Sequence, residues 1–296
     1  MRWKDGRRSD NVEDKRGQAA RVGVAAAAPL VLRFLPGLMR SKTGRTLLIG
    51  GVIVIFGSRL LGIDILGLLS GGSATGGGNY EASAQEEELK DFLTVVLAET
   101  EDTWHRLFAQ EGLTYREPTL VFFTDRVESA CGLADSAVGP FYCPGDQKLY
   151  IDMSFFYDLA RRHGAPGDFA QAYVLAHEVG HHVQTLTGIS AQVQKLGRGK
   201  RKAAVNDLSV RQELQADCLA GIWAHYQERK LEPGDLREAL TAATAIGDDR
   251  LQREAGRRVV PDSFTHGSSE QRARWFSTGL KNGQLKACDT FSARDL

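Results

Sequence analysis

Within the stretch AHEVGHHVQ, residues 176–184, His177 and His181 stand four apart and Glu178 directly follows the first of them. Positions four apart stack on one face of an α-helix, so both imidazoles can address one ion only if this segment is helical. That requirement limits the fold more than any other feature. One helix must present both rings, apolar residues on its other side must anchor it, and a second element must return to add a further donor. Ala172, Leu175, Val179 and Val183 supply the apolar side. The pattern predicts a helix from Asp168 to about Thr187, with Asp168 as a candidate N-cap and Gly188 near its end.

A catalytic zinc site commonly takes three protein ligands and keeps one position open. The sequence continues from His181 as HHVQTLTGIS and has no nearby downstream histidine, so the third ligand must come from elsewhere. A later helix, predicted from about Val205 to Arg229, carries RQELQAD, in which Glu213 and Asp217 are also four apart and cofacial. Glu213 is the best third ligand. Asp217 then accepts a hydrogen bond from a ligand histidine and fixes its tautomer. The converse, with Asp217 as ligand, stays open, as does the plain alternative of two solvated helix carboxylates. Glu178 is placed to take a proton from water at the metal. His266, in the polar loop DSFTHGSSEQ, is the candidate donor to the developing oxyanion, with Tyr142 and Tyr150 as competitors. His182 reads as structural or cleft-lining, and His225 as a weaker metal candidate.

The remaining pattern predicts an α+β domain, mainly helical with a small β-sheet. Helices are expected over Glu86–Gln110 and Ser154–Arg162, in a short piece ending at Ala245, and after a capping box formed by Ser268 and Gln271. TLVFFTD, after Pro118, and KLYID, Lys148–Asp152, read as strands. KLYID alternates as though one face were buried, and it could rim a cleft and pair with an extended peptide. The segment from Cys131 to Pro144 reads as a shaped loop, and LGRGKRK, 196–202, as a surface linker.

Lysine plus arginine and aspartate plus glutamate both number 37, which removes any general attraction for nucleic acid. The charge is unevenly spread: residues 1–45 hold eleven basic side chains against four acidic ones. This segment is expected to be largely disordered. The apolar stretch 46–69 follows and reads as a transmembrane signal anchor, although Arg59 and Asp64 interrupt it; an amphipathic or buried helix of a soluble protein and a cleaved signal are the other readings. Residues 70–79 form a Gly/Ser linker, and the folded domain is expected over 80–296. With the basic flank in the cytoplasm, that domain would lie on the periplasmic or extracellular side of a single-pass protein. Cys131, Cys143, Cys218 and Cys288 all fall in it. Disulfides suit such a location, and a local Cys131–Cys143 bridge would leave Cys218 for Cys288. An even count of four permits three pairings, and a buried free thiol at Cys218 is the other reading.

Together SDNVEDKRG, CGLADSAVGPFYCPGDQKLYIDMSFF, AHEVGHHVQTLTGI, RQELQADCLAGIWAH and DSFTHGSSEQRARWF resemble the bacterial family of putative neutral zinc metallopeptidases, the YpfJ-like proteins, over essentially the whole chain. The resemblance implies a zincin-like metallopeptidase domain preceded by a membrane segment, with Zn2+ held by His177, His181 and Glu213 and supported by Asp217. It implies an endopeptidase acting on protein or peptide. An envelope zinc-bearing assembly factor with little turnover and a zinc amidase acting on cell-wall peptide are the alternatives.

Overall fold

The computed structural model describes residues 1–18 and 80–296. Two strands central to the sheet, β2 (Thr119–Phe123) and β6 (Lys148–Asp152), pair in parallel, with Leu120 opposite Leu149 and Phe122 opposite Ile151. Side chains alternate across a strand. Leu120, Phe122, Leu149 and Ile151 therefore enter the main helical core, while Val121, Phe123 and Tyr150 join a smaller cluster behind the sheet. Both faces of KLYID are thus covered, not one as its alternation suggested.

The sheet order is β1 (Val12–Asp14), β2, β6, β5 (Phe141–Cys143), so KLYID is also an interior strand with both edges occupied. Its outer neighbour is β5, which runs antiparallel to it and takes the edge position expected of KLYID. At the other edge β1 pairs in parallel with β2. This corrects the expectation of disorder for residues 1–18, which belong to the same compact unit as the rest of the domain. Polar side chains made the segment look unstructured, but their partners lie far along the chain. Ser9 and Asn11 both donate to Glu101, Arg8 forms a fork with Asp91, and Met1 is buried with its ammonium group among Asp168, Glu232 and Asp235. The stretch 46–69 and the linker 70–79 lie outside the described residues. Among the described residues no helix is long and apolar enough to cross a membrane.

The predicted loop between Cys131 and Pro144 contains more order than its glycines suggested. A separate hairpin, β3 (Arg126–Ser129) with β4 (Gly132–Asp135), precedes β5, and a Cys131–Cys143 disulfide ties the hairpin turn to that edge strand.

The sheet's inner face meets a helical core, and the described α-helices follow in chain order. They are α1 (Ala84–Gln110), α2 (Ser154–Arg161), α3 (Asp168–Leu186), α4 (Ile189–Gly197), α5 (Lys202–Tyr226), α6 (Asp235–Ala245), α7 (Asp248–Glu254) and α8 (Ser269–Asn282). The α1 and α8 starts both carry reciprocal capping boxes, Ser83 with Glu86 and Ser268 with Gln271. Asp168 does not cap α3. Gly167 occupies that position, and the Asp168 carboxylate meets the Met1 ammonium group instead. Two glycines permit the close helix contacts on which the centre depends. A Cβ at Gly180 would lie 3.0 Å from the Ala216 carbonyl oxygen, so α3 can approach α5; one at Gly279 would lie 1.9 Å from the Cys218 carbonyl oxygen, so α8 can lie along α5.

A second disulfide, Cys218–Cys288, clamps the C-terminal segment to α5 across 70 residues of chain, against 12 for Cys131–Cys143. Loop-closure entropy assigns about 4 kcal/mol to the long bridge and about 3 kcal/mol to the short one. In urea unfolding, Cys218→Ala/Cys288→Ala is expected to lose more stability than Cys131→Ala/Cys143→Ala. The reverse order would show that strain or residual unfolded-state structure outweighs loop length.

Candidate metal centre

The close α3–α5 contact brings three side chains to one point. His177 Nε2 lies 3.2 Å from one Glu213 carboxylate oxygen, and His181 Nε2 lies 3.4 Å from the other. One donor atom from each of the three residues falls within a 4.8 Å cluster. The other ring nitrogens are already engaged. His177 Nδ1–H donates to Asp217 Oδ1 at 2.8 Å, and His181 Nδ1–H donates to Gln184 Oε1 at 2.9 Å. This leaves both Nε2 atoms directed at the shared point with their tautomer fixed from behind, the arrangement a nitrogen- and oxygen-liganded zinc requires. Asp217 is fully buried and reaches His177 from the side away from that point, so its geometry fits support and not ligation.

Asp217 is held in place by two residues that no local sequence pattern assigned to the site. Arg272, from α8, donates to both Asp217 oxygens at 2.9 Å, and the Tyr173 hydroxyl donates to Oδ1 at 2.5 Å. Tyr173 stands one helical turn before His177, a spacing that could have marked it. Arg272 had no such local signal, since only the fold carries α8 beneath α5. Burial opposes charge on Asp217, but Arg272 and His177 overcome it and keep the carboxyl below its usual range. Burial likewise works against Glu213, yet His181 and His177 hold it well below the ordinary glutamate range. His177 is drawn down by burial and pushed up more strongly by Asp217 and Glu213, to about 10. Glu178 differs from these: burial raises its carboxyl, the direction that favours proton transfer near neutrality.

The three clustered residues and Glu178 open on a cleft of about 1180 Å³ whose walls also include Tyr142, Phe155, Val174 and His266. His266 is exposed there, with its Nδ1 3.3 Å from Asp248 Oδ1 and its backbone N–H on Asp248 Oδ2. Tyr142 shares the cleft. Tyr150 is buried behind the sheet with its hydroxyl on Asp146, which removes it as an oxyanion donor. His225 bonds the Leu280 carbonyl and is likewise no part of the cluster.

The match to the family model described as Putative neutral zinc metallopeptidase runs over residues 1–291. The chain belongs to this family. Among its relatives, the uncharacterized protein YpfJ of Escherichia coli strain K12 is 47% identical over 296 residues, covering 98% of this chain and 99% of that protein. The uncharacterized protein Rv2575 of Mycobacterium tuberculosis is 45% identical over 195 residues, or 62% of this chain and 65% of that one. No solved structure matches the chain. Membership carries the coarse reading, a zinc peptidase, and extends it to the N-terminal strand as well as the helical core.

His182, next to a candidate ligand, serves the scaffold of this family member. It is fully buried, its Nε2–H donates to the Arg116 carbonyl at 2.6 Å, and its Nδ1 accepts from the Tyr142 hydroxyl at 3.1 Å. Burial pushes its pKa down to about 4, against 6.5 when unfolded. The folded state therefore binds fewer protons between these values. The stability contribution is complete above pH 6.5 and is lost as pH falls through about 4, to the extent of roughly 3 kcal/mol. Unfolding free energies of His182→Gln should accordingly decline less steeply over that window than those of the parent chain. An identical slope would remove His182 from the acid response.

Proposed function

We propose that the chain is a zinc-dependent endopeptidase, with His177, His181 and Glu213 as ligands and Glu178 as general base. The observation that carries this reading is the convergence of two oriented imidazoles and one carboxylate beside a buried glutamate, at the wall of a large open cleft. Zinc, when bound, supplies a Lewis acid that acidifies water and polarises a carbonyl.

The chain's own groups supply the remaining functions. Glu178 accepts a proton from the attacking water and returns it to the leaving amine, a role suited to its raised pKa. His266, held by Asp248 at the cleft, donates to the oxyanion. The edge strand β5 replaces KLYID as the backbone that can align an extended peptide, since among the described residues its outer side has no sheet partner. A cleft of about 1180 Å³ exceeds the usual range for small-molecule pockets, which favours polypeptide over a small amide. Glu178 also weighs against a purely zinc-binding assembly role, because holding the metal needs no base there. The two disulfides suit an extracytoplasmic substrate and location, with membrane attachment through the apolar stretch 46–69.

The test is hydrolysis of an unfolded protein by the purified full chain, scored as new amino termini, before and after chelation and zinc restoration. Zinc-dependent cleavage is expected. No cleavage with one zinc bound per chain would overturn the peptidase reading in favour of the binding role.

A further inference from the structure

A single membrane crossing within residues 19–79 would put the two flanks of that segment on opposite sides of the bilayer. The fold does not permit this separation. β1 is hydrogen-bonded along β2, with Val12 opposite Leu120 and Asp14 opposite Phe122. The pairing extends beyond the strand, because the Leu120 N–H donates to the Asn11 carbonyl and the Lys15 N–H to the Phe122 carbonyl, both within 2.9 Å. Met1 and Ser9 are buried in the domain. Ionic contacts lie along the same segment: Arg7 with Glu101, Arg8 with Asp91, and Arg16 with Glu87. Moving residues 1–18 to the far side of a membrane would break all of these together. It would also strip β2 of its partner at the edge of the sheet.

We infer that residues 1–18 lie on the same side of the membrane as residues 80–296, so the segment between them crosses an even number of times, zero included. The inference rests on the fold and not on the peptidase reading. It replaces the single-pass arrangement that the charge pattern suggested. If the disulfide-bearing domain is outside, the basic residues at the N-terminus are outside with it, where the cytoplasmic bias of positive charge would not have put them. Of these, Arg7, Arg8, Lys15 and Arg16 form ion pairs with acidic partners within the fold.

The test uses the full chain in intact cells with one introduced thiol at a time, each at an exposed position. Asp10→Cys reports on the N-terminal segment and Lys200→Cys on the domain, while Gln18→Cys and Glu81→Cys bracket the intervening stretch. A membrane-impermeant maleimide is applied before and after permeabilisation, and the second treatment confirms that each thiol can react. The same sidedness for Asp10→Cys and Lys200→Cys, repeated by the bracketing pair, is the expected result. Labelling of one member of either pair in intact cells, with its partner reacting only after permeabilisation, would overturn the inference. The bracketing pair keeps the test decisive if Asp10→Cys disturbs the N-terminal strand.

Discussion

Glu178→Gln is expected to retain zinc at the parent stoichiometry while lowering kcat/KM by about 10²–10⁴-fold, the range contributed by a positioned proton-transfer group. Glutamine matches the shape of the glutamate it replaces but does not accept a proton at the carboxyl position. None of the three clustered donor residues is altered, so metal analysis should not distinguish the two proteins. The effect is large because Glu178 is buried, which keeps bulk water from readily substituting for it. Burial also raises its carboxyl toward the pH at which it works. His177→Ala and His181→Ala should instead lose the metal, so zinc content and turnover separate the two roles. The comparison is made at matched zinc occupancy on an unfolded protein substrate. Equal cleavage by the parent and Glu178→Gln would remove Glu178 as the base.

The sequence made the helical half of the site legible because its signals are local. His177 and His181 declare themselves by spacing, and Glu213 and Asp217 by the same spacing on a later helix. The helices bearing them fall close to their predicted limits. What escaped depends on contacts between distant parts of the chain. The N-terminal strand is three residues long and reads as polar loop until β2 is placed beside it. β5 and the β3–β4 hairpin sit in glycine- and proline-containing sequence, where pairing partners and a disulfide overrule local propensity. The glycine- and basic-residue run 196–202 looks like continuous linker by composition, although α4 runs to Gly197 before the turn begins. KLYID has the local pattern of a strand, but that pattern does not carry its place in the sheet. Strand order is set by tertiary pairing, and a fully buried interior strand can still contain an aromatic that looks like an outward residue. The Tyr150 ring stacks on Phe141, and its hydroxyl finds Asp146. Arg272 was the largest omission at the site. A buried guanidinium is identifiable only once the carboxylate it neutralises has been placed opposite it.

That guanidinium leads to the second large effect. Arg272→Met should destabilise the fold by about 3–5 kcal/mol, because it leaves the buried Asp217 carboxylate without its principal counter-charge. It should also weaken zinc binding about 10–100-fold, because Asp217 orients His177 through Nδ1. These consequences have different origins and can be separated. In Asp217→Leu/Arg272→Met both members of the ion pair are replaced by apolar groups, so much of the stability should return relative to Arg272→Met alone. Zinc affinity should not return with it, since the double variant also removes the Asp217 acceptor that orients the His177 ring. Urea unfolding of the metal-free proteins measures the first quantity, and competition with a chelating dye measures the second. Recovery of both in the double variant would show that Arg272 and Asp217 serve the scaffold alone. Recovery of stability without affinity would instead place the chain from α8 through Asp217 to His177 among the devices that build the metal centre.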